Sequence, residues 1–155
     1  MLFRSGVGGG IICDGRLLDG DSGNAGHIGH VNVVPNGREC KCGARGCLEA
    51  VASGTAIAQM TGRPAAEATP EVIAQTGTYV GRAVATVATL LDLRLAVICG
   101  SVALGFGEPF FRAAQAEVDR YARIKFVRGV QVRPTGLGAD APLVGAAAVA
   151  RRHVS

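Results

Sequence analysis

The sequence has no tryptophan, few aromatic residues and no long uninterrupted run of apolar side chains. Arginine, aspartate or glycine breaks each apolar run, so we expect no helix that spans a membrane. Residues 1–4 lack a basic region followed by a long apolar stretch, so they do not predict a signal peptide. Apolar residues make up 48% of the chain and charged residues only 18%, which argues against an intrinsically disordered protein. The 155 residues therefore predict one folded domain, spanning 1–155, in the cytoplasm.

Lysine is also scarce, and arginine supplies most of the positive charge. The 16 Lys and Arg residues exceed the 12 Asp and Glu residues, which gives a net charge of +4. These cations are scattered, and the two denser groups are residues 151–153 and a set at one predicted helix end (Arg120, Arg123, Lys125 and Arg128). Because no aromatic residues alternate with the cations, the pattern favours a solvated surface, and we do not expect nucleic acid as a partner.

Against this background of absences, four soft donors lie close together in the sequence, spaced H-x9-C-x-C-x4-C: His30, Cys40, Cys42 and Cys47. One imidazole and three thiolates form a complete tetrahedral set for Zn²⁺. Since no ligand position remains for an activated water, the spacing predicts a structural zinc and no catalytic metal. A disulfide is the alternative, but Cys40 and Cys42 are too close in sequence to bridge easily.

Glycines and the remaining cysteines fit this interpretation. Gly37, Gly43 and Gly46 would let the backbone turn sharply enough to bring the thiols to one point. Cys13 and Cys99 lie in apolar, strand-like runs, so we expect both to be small buried hydrophobic side chains.

Apolar periodicity and turn residues predict the order β-β-β-α-α-β-α-β-α. Three strands in succession, followed by strands joined through helices, are typical of a mixed sheet covered by helices. The predicted elements are strands at 7–13, 16–18 and 31–34, helices at 48–60 and 70–91, a strand at 95–99, a helix at 106–123, a strand at 130–133 and a helix at 141–151.

This order resembles a half-domain of the ribonuclease-H-like fold, the fold of the actin and hexokinase kinase superfamily. Within that group, residues 30–49 strongly resemble the zinc signature of the ROK family (repressors, open reading frames and kinases). Further likenesses are the glycine-rich strand entry at 6–12, the sugar-contact segment at 26–30, the nucleotide-side strand end at 97–107 and the final helix at 136–146. The resemblance covers nearly the whole chain and implies the C-terminal domain of a ROK protein.

The resemblance implies sugar contacts at His27, His30 and Glu49. His30 would serve both the metal and a sugar hydroxyl, and the Glu49 carboxylate would accept hydrogen bonds from sugar hydroxyls. The alternative for Glu49 is an acid that stabilises the N-terminus of a helix. His27 stands where the family commonly has glutamate, so we expect an altered sugar preference; its alternative is a surface histidine.

The same resemblance implies nucleotide contacts in two glycine-containing segments. Ser5, with Gly6, Gly8 and Gly9, resembles the family's phosphate-side turn, in which threonine is usual. A tight entry into a strand is the alternative reading of this segment, and Arg4 stands where a glycine is commoner. Later in the chain, a Gly-Gly pair of the kinases is matched by Gly100 and Ser101.

The family contains ATP-dependent sugar kinases and sugar-responsive transcriptional repressors. Its phosphate loop, D-x-G-x-T, and the N-D segment with the catalytic aspartate do not occur in these 155 residues, so we assign no catalytic residue. We therefore expect the sugar-binding half of a glucokinase-like kinase that lacks the first domain, with ATP and Mg²⁺ bound only by the complete protein. The alternatives are the effector-sensing domain of a repressor and a metal-stabilised oligomerisation module. A face left uncovered by the first domain would be apolar, so we also expect a homo-oligomer.

Overall fold

The computed structural model of the chain describes residues 1–3 and 5–152. Arg4 and the end of the basic tail, His153, lie outside the described residues. Within these ranges the chain forms the predicted α/β fold, in which a group of short strands comes first, a group of helices follows, and strands and helices then alternate. In the described chain no helix combines the length and the apolar character that crossing a membrane requires.

The strands form a mixed arrangement. Strand β1 (Leu2–Phe3) pairs antiparallel with β2 (Val7–Gly8), and β3 (Ile12–Cys13) pairs antiparallel with β4 (Arg16–Leu17). Strand β5 (Leu95–Ile98) pairs in parallel with β6 (Gln131–Pro134). A parallel bridge between Leu2 and Cys99 joins β1 to the end of β5. The mixed sheet is thus confirmed, although β1 was not predicted.

Two predicted strands are wrong in detail, because their residues make other tertiary contacts and do not pair regularly in a sheet. The predicted strand 7–13 is interrupted between β2 and β3, where the Ile28 side chain packs against Gly9. The predicted strand 31–34 forms only one bridge, between Asn32 and Cys47. The N–H groups of Val33 and Val34 both donate to the carbonyl of Gly46, so this segment closes a loop and does not join a sheet.

The helix predicted at 48–60 consists of two helices, α1 (Leu48–Ala52) and α2 (Gly54–Thr61). Ser53 separates them, since its backbone is extended, with ψ of 155°. Its hydroxyl accepts a hydrogen bond from the Ala56 N–H at 3.1 Å. Ser53 therefore ends α1 and acts as the N-cap of α2.

Helix α3 (Pro70–Leu91) begins as predicted, with the Thr69 hydroxyl as its N-cap. Helix α4 (Ser101–Tyr121) starts five residues before the predicted start and is kinked at Gly107, just ahead of Pro109. The two helices pack closely, because a Cβ added to α3 at Gly77 or Gly81 would lie 2.5 Å from a backbone carbonyl oxygen of α4. The final helix, α5 (Ala141–Arg152), matches the predicted position.

The core lies between α1, α3, α4 and the strands, and its largest fully buried side chains include Phe110, Leu48, Ile57, Ile98 and Val80. Two apolar surfaces lie outside it. Helix α5 exposes Leu143, Val144 and Val149. An apolar cleft of about 460 Å³ is lined by residues of α3, β5 and the segment that joins β2 to β3.

Candidate metal and sugar site

The four predicted metal ligands come together in the structure. One donor atom from each of His30, Cys40, Cys42 and Cys47 lies within 4.8 Å of the other three. The His30 Nδ1 is 3.7 Å from the Cys40 Sγ, and the Cys42 Sγ is 3.7 Å from the Cys47 Sγ. A zinc tetrahedron with bonds of about 2.0–2.3 Å has edges of about 3.5–3.8 Å. The donor types and the two 3.7 Å distances therefore fit a tetrahedral metal ion.

Two of these ligands sit in the metal loop, which we define as residues 35–46. The Cys40 N–H donates to the Ala44 carbonyl at 2.7 Å, and the Gly43 N–H donates back to the Cys40 carbonyl at 2.9 Å. This tight turn presents the thiols of Cys40 and Cys42 toward the other two ligands. The backbones of Glu39 and Arg45 form an antiparallel β-bridge across the turn, which holds its two sides together.

The base of the metal loop depends on Gly46. Its φ is +77°, and an added Cβ would collide with the Val34 carbonyl, so the loop requires glycine here. Gly43 also has a positive φ, whereas Gly37 does not, and the left-handed residue at that turn is Asn36. The prediction that Gly37 serves a sharp turn is therefore wrong. Glycine is needed at this position because the backbone comes close to Val34.

The thiols differ in their electrostatic surroundings. The backbone N–H of Ala44, with help from Cys40, lowers the pKa of the exposed Cys42 thiol to about 7. Burial, with the neighbouring Cys42 and Cys40 thiols, raises the pKa of Cys47 to about 12. Thiolates are the metal-binding form, so a metal ion at this site must displace the proton of Cys47.

All five cysteines are free, so the disulfide alternative is not realised. The two cysteines outside the cluster are half-buried, which corrects the expectation of full burial for Cys13 and Cys99. The Cys99 thiol donates to the Met1 carbonyl at 3.1 Å, where β1 begins beside β5.

The two predicted sugar-contact histidines lie at the two ends of a short 3-10 helix (Ile28–His30). His27 immediately precedes this helix, and its ring stacks with that of His30 at a centroid distance of 6.0 Å. Both histidines are exposed, while Ile28 and Gly29 between them are buried. Buried residues thus fix the turn, and the two imidazoles face outward from it together.

Glu49 lies in the first turn of α1, next to the metal ligands. Its Oε2 accepts a hydrogen bond from the Val7 N–H at 2.9 Å, which ties α1 to β2. A cleft of about 100 Å³ brings Glu49 together with Ser5 of the phosphate-side turn, Arg38, Cys40 and Ser53. The structure therefore joins one predicted sugar ligand, one predicted metal ligand and one predicted nucleotide residue in a single cleft.

The other predicted nucleotide residues lie outside the lining of this cleft. Gly6 is next to it, since an added Cβ would lie 2.9 Å from the Glu49 Oε2. Gly8 ends β2 and Gly9 packs against Ile28. Gly100 and Ser101 lie between the end of β5 and the first turn of α4. The parallel β-bridge between Leu2 and Cys99 places the end of β5 beside β1, and Leu2 is three residues before Ser5.

Sequence reasoning missed one charged residue that contacts this region. Arg82 of α3 donates to the carboxylate of Glu117 in α4 at 2.6 Å and to the Val33 carbonyl, just before the metal loop, at 3.2 Å. The available signal was its position between Gly81 and Ala83, a lone cation in the small-residue stripe of a helix.

The chain is similar to known sugar kinases. It is 43% identical over 118 residues to an N-acetylmannosamine kinase of Yersinia pestis (strain Pestoides F), a match covering 66% of this chain and 41% of that protein. The crystal structure of a ROK hexokinase from Thermus thermophilus superposes with a TM-score of 0.82 at 32% identity, over 99% of this chain and 58% of that one. A ROK family glucokinase from Streptomyces griseus, solved with glucose and AMPPNP, gives 0.81 at 29% identity, over 97% and 59%.

The same fold occurs in a regulator. A ROK family transcriptional regulator, a homologue of the E. coli MLC protein, superposes with a TM-score of 0.73 at 28% identity, over 86% of this chain and 40% of that one. The chain thus spans about two fifths to three fifths of the length of these relatives. Residues 2–153 match the ROK family, and the chain belongs to this family.

Proposed function

We propose that this chain is the zinc-stabilised, sugar-binding C-terminal part of an ATP-dependent ROK kinase that transfers a phosphoryl group to a hexose. The observation that carries the proposal is the cleft in which Glu49 lies beside both Cys40 of the metal cluster and Ser5 of the phosphate-side turn. The names of the similar proteins, an N-acetylmannosamine kinase, a hexokinase and a glucokinase, support a sugar as the substrate class.

Zinc would be held by His30, Cys40, Cys42 and Cys47. The ion would supply no chemistry in the phosphoryl transfer, because four protein ligands leave no position for water. Its role would be to fix the metal loop against α1, and so to hold Glu49 and the imidazoles in place. A reducing compartment such as the cytoplasm keeps these thiols available for the metal.

The sugar would be bound by Glu49, His30 and His27. A carboxylate has about four acceptor positions, so the bond from the Val7 N–H leaves Glu49 able to accept sugar hydroxyls. The imidazoles of His27 and His30 are stacked and exposed, so both can be reached by a sugar. Because imidazole both donates and accepts hydrogen bonds, His27 would change the choice of sugar compared with a glutamate.

The nucleotide would be bound along Ser5, Gly6, Gly8 and Gly9, with Gly100 and Ser101 at the neighbouring strand end. ATP and Mg²⁺ would bind only in a protein that also contains the D-x-G-x-T loop, which these 155 residues lack. The catalytic base is absent from this sequence as well. We therefore expect the chain alone to bind sugar and zinc without catalysing phosphoryl transfer.

A second candidate function is effector sensing in a sugar-responsive repressor. The observation in its favour is the similarity to the ROK transcriptional regulator, at nearly the same identity as the glucokinase. The gene sequence before residue 1 distinguishes the two: D-x-G-x-T there indicates a kinase, and a helix-turn-helix before it indicates a repressor.

The direct test uses the purified 155-residue chain in a reducing buffer. We expect stoichiometric zinc by elemental analysis, hexose binding by calorimetry with glucose and N-acetylmannosamine as probes, and no sugar-dependent ATP turnover in a coupled assay. A folded protein without stoichiometric metal, and with all three cluster thiols freely alkylated, would overturn the proposal. Because α5 and the cleft expose apolar side chains, we also propose self-association, which light scattering over a concentration series checks.

A further inference from the structure

Arg82 connects three parts of the structure. Its Nε donates to the Glu117 carboxylate at 2.6 Å, and its Nη1 donates to the Val33 carbonyl at 3.2 Å. The guanidinium also lies 5.9 Å from the centre of the Tyr79 ring, one turn earlier on α3. One planar fork thus fixes α3 to α4 and, at the same time, to the segment that leads into the metal loop.

The ion pair that orients Arg82 is largely shielded from water. The Glu117 side chain is only 8% exposed, whereas that of Arg82 is 35% exposed. The hydrogen bond from Arg82 to Glu117 raises the pKa of the guanidinium, so Arg82 keeps its positive charge. A buried carboxylate needs such a partner, since an unpaired charge in the interior is strongly unfavourable. Arg120 also approaches Glu117, but at 3.9 Å and with 71% of its side chain exposed, so it contributes little.

The residue that Arg82 holds forms one side of the base of the metal loop. The Val33 N–H donates to the Gly46 carbonyl at 2.9 Å, while the Val33 carbonyl accepts from Arg82. Gly46 directly precedes the proposed ligand Cys47. Asn32, next to Val33, forms an antiparallel backbone β-bridge with Cys47. The contact from Arg82 therefore acts on the strand segment that is paired with a metal ligand.

We propose that Arg82 is a positioning residue of the metal site: by holding the Val33 carbonyl, it fixes the base of the metal loop to the α3–α4 pair and slows release of the ion. This inference rests on the proposed zinc binding. Arg82 does not touch the metal ligands in this role and acts through Val33 and Gly46. Arg82 would slow the opening of the metal loop, a step that must precede loss of the metal.

The test measures how fast zinc passes from the loaded protein to a chromogenic chelator in excess. We expect about five- to tenfold faster release from R82A, because a hydrogen bond from a charged donor to the loop base is lost. R82K keeps a cation for Glu117 but loses the planar fork, so it too should release zinc faster than wild type, with a Tm near that of wild type. R120A removes a cation from the same carboxylate without touching Val33, and its release rate should equal that of wild type.

A general loss of stability is separated from positioning by a matched control. V127A creates a cavity at a fully buried side chain outside the contacts of Arg82 and should lower Tm without speeding zinc release. Equal release rates in wild type and R82K, or rates that follow Tm alone across R82A, R82K and V127A, would overturn the inference. If wild type itself retains no zinc, the proposed function fails, and that outcome is recognised before any Arg82 variant is compared.

Discussion

The carboxylate of Glu49 accepts the backbone N–H of Val7 at 2.9 Å, which ties the first turn of α1 to strand β2. Val7 directly follows Ser5 and Gly6, and Glu49 stands two residues after Cys47, a proposed metal ligand. The proposed sugar, metal and phosphate-side groups are therefore linked by one hydrogen bond between side chain and backbone. We therefore expect a change at Glu49 to affect sugar affinity more than stability.

We predict that E49Q lowers hexose affinity by about tenfold while changing Tm little. The glutamine carbonyl can still accept the Val7 N–H, but the negative charge and one acceptor oxygen for sugar hydroxyls are lost. E49A should lower both the affinity and Tm, because the Val7 N–H loses its partner. Calorimetric titration with glucose and thermal denaturation measure the two effects. Unchanged affinity in E49Q would assign Glu49 a structural role only.

The metal-free protein should be most stable near pH 9. Cys42 has a pKa lowered from 9.0 to about 7, so the unfolded state binds more protons between these values and stability rises with pH. Cys47 has a pKa raised from 9.0 to about 12, so the folded state binds more protons above pH 9 and stability then falls. Urea midpoints between pH 6 and 11, in chelator and reductant, measure this curve.

Single serine variants show which cysteine produces the rise of stability below pH 9 and which produces the fall above it. C42S should flatten the rise below pH 9, and C47S should flatten the fall above it. A curve that keeps both limbs in both variants would show that other groups produce the pH dependence. Zinc affinity of the wild type should decrease at acid pH, because protons compete with the ion for the thiolates.

His27 is predicted to select among sugars without affecting the metal. H27A should reduce hexose affinity several-fold, since one hydrogen-bonding ring is lost, and zinc content should stay the same. H27E restores the acceptor that the ROK family commonly has here and should shift the relative affinity for glucose and N-acetylmannosamine. Sugar affinity that is untouched in H27A would remove His27 from the sugar site.

Gly46 should be the least replaceable residue of the metal loop. G46A places a Cβ against the Val34 carbonyl and keeps a positive φ, so we expect loss of zinc and a large drop in Tm. G43A is the matched control: its φ is also positive, but nothing lies within 4 Å of the added Cβ. Its cost should be limited to backbone strain, about 1 kcal/mol. Comparable Tm and zinc content in the two variants would contradict this assignment.

Local spacing made the metal cluster predictable. His30, Cys40, Cys42 and Cys47 lie within one short segment, so few backbone paths can separate them. The start of α3 was predictable for the same reason, since the Thr69 hydroxyl caps the helix by accepting from the Val72 N–H, three positions away.

Contacts between distant segments were not predictable in this way. Residues 31–34 have the composition of a strand, but the Gly46 carbonyl takes two of their N–H groups and closes a loop. The break at Ser53 depends on its extended backbone, although serine is a common N-cap. Arg82 reaches Val33 across 49 positions of sequence, and no periodicity encodes such a contact.

The close packing of α3 and α4 restricts how this protein can move. At Gly77 and Gly81 the helices meet with no side chain of α3 between them and the carbonyls of α4, so neither helix can slide along the other without collision. Arg82, next to Gly81, attaches the base of the metal loop to this pair. If the protein closes around a ligand, the two helices and the loop should travel as one rigid body, and the hinge must lie elsewhere in the chain.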